Sequence, residues 1–158
     1  MRYFDDIAIG EKRALGRHTF AADEIKAFAT KFDPQPFHVD EAAATRSHFR
    51  ALCASGWHTA SMWMRFAADH RRREEEEQRA RGEKLARRGP SPGLRNLQWL
   101  RPVYVGDTIA FASEVVDKRP LKTRPGWGLV TSRNTGANQN GDLVLSFLGT
   151  VFVESRPR

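Results

Sequence analysis

A carboxylate and an imidazole stand five positions apart in the segment Phe32-Asp33-Pro34-Gln35-Pro36-Phe37-His38-Val39-Asp40, and Ala54-Ser55-Gly56-Trp57-His58 follows it. Pro34 and Pro36 fix their own φ near −65° and push Asp33 and Gln35 out of the helical region, so the segment is stiff and cannot simply continue a helix. Stiffness matters chemically. A pair held in one relative geometry loses little freedom when a substrate arrives, and an acid and an imidazole so held can share one water and move its protons. Ser55-Gly56 then opens a long helical stretch. The first-turn N–H groups of a helix have no internal partner and carry partial positive charge, so they suit a developing negative charge. Gly56 lets another backbone or a ligand come close. Each residue also has a plainer reading: Asp33 ending a helix, His38 half-buried in a loop, Ser55 as an N-cap. Two titratable groups, two prolines and an aromatic within six residues favour the chemical one.

Asp-x-x-Pro-x-His-x-Asp, then a helix of small residues, then a small-Gly-aromatic turn, resembles the hydratase motif of the MaoC-like dehydratases, the (R)-specific enoyl-CoA hydratases. Phe4-Asp5-Asp6-Ile7-Ala8-Ile9-Gly10-Glu11 looks like that family's lead-in, and Arg101-Pro102-Val103-Tyr104-Val105-Gly106-Asp107-Thr108 like its strand-to-strand corner. The resemblance implies a hot-dog fold, an α+β architecture in which a curved antiparallel sheet wraps a long central helix. It also implies dimers with the active sites at the subunit interface.

For function, the resemblance implies that Asp33 and His38 grip a water. Asp33 would be the general base, His38 the orienting group, and the oxygen would add to C3 of a trans-2-enoyl-CoA to give an (R)-3-hydroxyacyl-CoA, or the reverse. The Gly56 N–H would stabilise the thioester oxygen as the enolate forms. Gln35, Ser55 and Trp57 are the expected substrate contacts. Gln35 stands where many members carry Asn, Ser55 where the hydratases commonly carry His, and Trp57-His58 where Met-Leu is usual. A short or polar acyl group suits those bulkier side chains better than a long aliphatic one. No metal or cofactor is expected beyond the coenzyme A thioester, whose phosphates would meet cations such as Arg101, Arg119, Lys122 or Arg124.

Two rivals share the fold. A hot-dog thioesterase would usually take its acid from the central helix, where Asp69 is the only aspartate and lies far along; a non-catalytic acyl-CoA-binding subunit would have little use for both Asp33 and His38.

The elements that must position these groups can be read from periodicity. Lys12 to Phe20 reads as an edge strand. Ile25, Phe28, Ala29 and Phe32 form one apolar helical stripe, with Asp23 and Glu24 in the first turn and Pro34 as the stop, so that Asp33 is delivered at the helix end. Asp40 is the natural N-cap of a short helix that follows. The long helix is expected from Trp57 to about Arg88, with Ala60, Trp63, Met64, Ala67 and Ala68 toward the sheet and a charged extension from about residue 70 to 90, in which Glu75/Arg79 and Glu77/Arg81 are spaced as i,i+4 pairs. After Gly89-Pro90-Ser91-Pro92-Gly93 come four runs with strand texture, and Asn140-Gly141 signals a type I′ hairpin between the last two.

At 158 residues the chain suits a single domain. With 26 basic and 19 acidic residues its net charge is +7, which attracts anions without choosing among them; the mixed signs in the arginine-rich stretch argue against nucleic acid. Cys53 is the only cysteine, so no disulfide forms within the chain. No apolar run reaches the roughly 18 to 20 residues a membrane span needs. The expectation is a soluble, cytoplasmic homodimer or higher homo-oligomer.

Overall fold

The computed structural model describes residues 2–157. After a 3₁₀ turn at Phe4–Asp6 come strand β1 (Lys12–Thr19), helix α1 (Ala22–Phe32), the short helices α2 (Pro36–Val39) and α3 (Glu41–Arg46), and the long helix α4 (Gly56–Ala80). The remaining strands are β2 (Gly93–Trp99), β3 (Thr108–Pro120), β4 (Trp127–Ala137) and β5 (Leu143–Glu154). They form one antiparallel sheet in the order β1-β3-β4-β5-β2. Strands β3, β4 and β5 are a meander, and β2 closes the far edge on β5, a pairing the run of strands did not reveal. The fold is the hot-dog architecture, a curved sheet around a long helix. Among the described residues no helix is long and apolar enough to cross a membrane.

The N-terminal half of α4 is pinned to the core. Met62, Trp63, Phe66 and Ala67 pack on buried Leu15, Phe20, Ile109, Phe111 and Phe147. The buried stripe is therefore 59, 62, 63, 66, 67, rotated from the expected one: Met64 is 58% exposed and Ala60 is absent from the core. Alanine and methionine fit either face, so their pattern alone could not fix the helix's rotation. The helix also ends earlier than expected, at Ala80 instead of about Arg88. Gly82, at φ +70°, closes it, and its N–H reaches the Arg79 carbonyl at 2.9 Å. Glu75 and Glu77 form no ion pair with Arg79 or Arg81; Arg81 turns instead to Glu83 at 2.6 Å.

The β4–β5 connection is a hairpin, but not type I′. Only Gly141 has positive φ (+84°), and the loop is organised by Asn138, whose Oδ1 accepts from the N–H groups of Asn140 (3.0 Å) and Asp142 (2.9 Å). An Asx side chain has replaced the two-residue turn.

Candidate active site

Helix α1 ends where Pro34 cannot continue it, and Asp33 becomes its C-cap, its N–H bonded to the Ala29 carbonyl at 2.8 Å. Pro36 then occupies the first turn of α2, a position where its missing N–H costs nothing. The stiff segment does not continue α1 but contains one helical turn of its own, and that turn swings His38 back toward Asp33. The His38 Nε2 to Asp33 Oδ2 separation is 3.6 Å, too long for a direct hydrogen bond and short enough for one oxygen atom to reach both.

Each member of the pair is held from behind. His38 is 5% exposed, and its Nδ1 lies 2.7 Å from the Cys53 carbonyl. A carbonyl can only accept, so Nδ1 carries a proton; when the ring holds no second proton, Nε2 presents a lone pair toward Asp33. Asp33 Oδ2 accepts from Ser55 Oγ (2.7 Å) and Oδ1 from Gln35 Nε2 (2.9 Å). Partial burial raises the Asp33 pKa, but the bonds from Ser55 and Gln35 and the nearby His38 outweigh it and hold the carboxyl below its ordinary value. Asp33 is therefore a carboxylate at neutral pH.

Ser55 joins the acid to the helix. Its hydroxyl donates to Asp33 and accepts the Trp57 N–H at 3.2 Å, capping α4. It is 1% exposed and does not line the adjoining cavity, and its hydroxyl is in contact with the acid. That cavity, about 400 Å³, is lined by Asp33, Gln35, His38, Gly56, Trp57 and Trp99 among others. The acid, the imidazole and the helix-start glycine face one space. Among the described residues the Gly56 N–H has no hydrogen-bond partner.

Gly56 has a second reason to be glycine. A Cβ there would lie 2.4 Å from Cε2 and Nε1 of Trp99, which packs across the helix start and meets Trp57 edge to face at 5.1 Å. Trp57, 55% exposed, stands at the rim. His58 does not share the site: it is buried, stacked on Phe28 at 4.5 Å and edge-on to Phe20, away from the cavity. One residue's step along a helix turns a side chain by about 100°, which is why Trp57 and His58 part company.

The corner of residues 101–108 braces the other side. The Ala54 N–H donates to the Val103 carbonyl (2.8 Å) and the Tyr104 hydroxyl to the Phe49 carbonyl (3.0 Å), so the segment carrying the Cys53 carbonyl is fixed to the sheet. Cys53 is itself buried, and burial pushes its thiol up to about 11, which makes it inert. Arg101 lines the cavity and pairs with Asp142 at 3.4 Å; Arg119 and Arg124 line a different hollow that shares no residue with this one.

Two groups escaped the sequence reading. Trp99 gave no signal, because its approach depends on β2 crossing to the far edge of the sheet. Thr59 did: it is four residues past Ser55 on the same helical face. It is 2% exposed, lines the cavity, and its hydroxyl has no partner among the described residues.

Comparison with known proteins follows the same outline. Residues 6–137 match the family model described as MaoC like domain. The crystal structure of the MaoC-like dehydratase from Rhodospirillum rubrum is 34% identical, covers 100% of both chains and superposes with a TM-score of 0.82. Uncharacterized protein YdeM of Bacillus subtilis is 27% identical over 77% of this chain and 79% of its own. Mesaconyl-CoA hydratase of Cereibacter sphaeroides is 37% identical over 59 residues, 37% of this chain and 17% of that one.

Proposed function

The chain belongs to the MaoC-like domain family, and from that premise we propose that it adds water reversibly across the double bond of a trans-2-enoyl-CoA, giving an (R)-3-hydroxyacyl-CoA. The observation that carries this reading is the pair of acceptors 3.6 Å apart, Asp33 Oδ2 and His38 Nε2. A water between them donates one hydrogen to each. Its oxygen lone pairs then point away from both, toward the cavity where C3 of the acyl group would lie.

As the C–O bond forms, one proton passes to the Asp33 carboxylate. Electron density from the double bond moves onto the thioester oxygen, and the Gly56 N–H at the start of α4 stabilises it. The proton held by Asp33 then passes to C2 as the enolate collapses, which restores the carboxylate and leaves one water's H and OH on C2 and C3; dehydration is the same path reversed. Ser55 and Gln35 keep Asp33 ionised and aimed, while the Cys53 carbonyl keeps His38 in the tautomer the step needs.

Trp57 and Trp99 narrow the cavity over Gly56, which favours a short or polar acyl group; the mesaconyl-CoA hydratase of C. sphaeroides is named for such a substrate. Arg101 at the wall is the cation in reach of a coenzyme A phosphate or an acyl carboxylate. We take the working unit to be a homodimer or larger homo-oligomer, and the thioester to be the only coenzyme involved. Against the thioesterase alternative, Asp69 is bound to Arg65 at 2.8 Å and is absent from the cavity wall.

Hydration of crotonyl-CoA, followed as loss of the enoyl thioester's ultraviolet absorbance, tests the reading. Asp33→Asn should lower kcat about 10²- to 10⁴-fold, the range for a positioned acid or base, and His38→Ala by a similar factor. Mutants that hydrate as fast as the wild type, or release of free thiol in place of hydration, overturn it.

A further inference from the structure

A threonine inside a helix ordinarily settles its hydroxyl on the carbonyl four residues back. Thr45 does so in α3, where its Oγ1 donates to the Glu41 carbonyl at 2.8 Å. Thr59 has the same option early in α4 and does not take it. The carbonyl in question is that of Ser55, which already accepts the N–H groups of His58 (2.9 Å) and Thr59 (3.2 Å). The Ser55 hydroxyl is committed as well, to Asp33 and to the Trp57 N–H. Thr59 Oγ1 is left buried without a hydrogen-bond partner. Among the described residues it is the only such side-chain atom on a residue that lines the cavity of Asp33 and His38.

A buried hydroxyl with no partner costs stability, so valine, which has the same shape and no oxygen, would hold the free protein at least as firmly. A chain that keeps such a group at the wall of its site trades stability for an interaction made only when the site is filled. Position on the helix identifies the atom it meets. Residues 56 and 59 are three apart, so they lie one above the other on one face of α4, and side chains on a helix lean toward its N-terminus. The Thr59 side chain therefore leans over the turn that begins with the Gly56 N–H, and both residues line the cavity. Threonine in a helix divides between two χ1 wells, so rotation about one bond carries the hydroxyl from its sealed position into that space.

We propose that Thr59 is a catalytic residue, a second hydrogen-bond donor to the thioester oxygen beside the Gly56 N–H. The proposal rests on the hydratase reading and deepens it. The thioester oxygen is a weak acceptor in the substrate and a strong one as the enolate forms, so a donor that must turn to reach it is engaged most fully in the transition state. Such an interaction acts on kcat and hardly on KM. No proton is transferred: the hydroxyl hydrogen stays on Thr59 Oγ1, and Asp33 remains the group that takes the proton from water and returns it to C2.

Crotonyl-CoA hydration and thermal unfolding, measured on the same samples of the full chain, test the assignment. Thr59→Val should lower kcat roughly 10- to 100-fold and leave KM within about threefold, a smaller loss than removing a whole oxyanion site because the Gly56 N–H remains. Its Tm should equal or exceed that of the wild type, since no hydrogen bond of the free protein is lost. Thr59→Ser keeps the donor and should hold kcat within about fivefold of the wild type. A hydroxyl with a merely structural role predicts the opposite pattern, a lower Tm with kcat preserved. The assignment fails if Thr59→Val hydrates within about twofold of the wild type, or if serine is as slow as valine. It fails equally if valine lowers Tm or prevents folding, because a side chain of the same shape would then be replacing a hydroxyl that did have a partner. A wild type inactive toward crotonyl-CoA overturns the hydratase reading and this assignment together. An active wild type with an impaired Asp33→Asn and an unimpaired Thr59→Val overturns this assignment alone.

Discussion

Removing the Ser55 hydroxyl should be felt in stability and in catalysis, and the two can be separated by pH. In Ser55→Ala the helix loses its cap and Asp33 its shortest donor at once, because a single oxygen serves both at 3.2 and 2.7 Å. An N-cap contributes about 1 kcal/mol, and a hydrogen bond to a charged group about 1.5 to 3. The two are not additive when one atom makes both, and Asp33 retains Gln35, so the expected loss is about 2 to 3 kcal/mol. At about 2 to 4 °C per kcal/mol for a chain of this size, Tm should fall by about 4 to 12 °C.

The sign of the pH dependence follows from the depressed Asp33 pKa. A carboxyl whose folded pKa lies below its unfolded value adds stability above the ordinary value of 3.8, and that stability is lost as pH falls through the folded pKa. Ser55→Ala narrows the gap. The Tm difference between mutant and wild type should therefore be largest near neutrality and shrink below pH 3.8 toward the contribution of the cap alone. In kcat/KM for crotonyl-CoA, the acid limb should move to higher pH in the mutant, since Asp33 is then easier to protonate. An unchanged acid limb together with an unchanged Tm would mean that Ser55 supports neither group, and the account of the site would fall with it.

Further outcomes are open to measurement. Gly56→Ala places a methyl 2.4 Å from the Trp99 ring, so it should destabilise by about 1 to 3 kcal/mol in chemical denaturation, and Trp99→Ala in the same chain should recover part of that loss. His58 is held neutral by burial, helped by His18 and opposed by Glu24, so its folded pKa lies below 6.5 and its contribution to stability is lost as pH falls below that value. His58→Phe, which keeps the stack on Phe28, should flatten the decline of Tm between about pH 7 and 5. Lys118 donates to the carbonyls of Phe4 (2.9 Å) and Ile7 (2.7 Å) and lies over the Phe4 ring, so Lys118→Met should cost about 1 to 3 kcal/mol and speed exchange of amide hydrogens in the N-terminal turn.

The chain's own residues determined the parts of the site that are local. Proline at 34 and 36 dictates where α1 stops, and Asp33 must then be a helix end; Asp40 caps α3 through Ala43 N–H at 2.6 Å, and Ser55 caps α4, because cap chemistry acts over three residues or fewer. The strands, too, were legible from alternation. What tertiary structure alone decided are matters of rotation and of distant approach. Which face of α4 is buried depended on the fit of Trp63 and Phe66 to the sheet, since alanines do not distinguish faces. That His58 turns into the core, that Ser55 backs Asp33, and that Trp99 lies on Gly56 all join segments 20 or more residues apart. Contacts at that separation are fixed by the register of β2 on β5 and by the packing of α1 against α4, and no local spacing encodes either one.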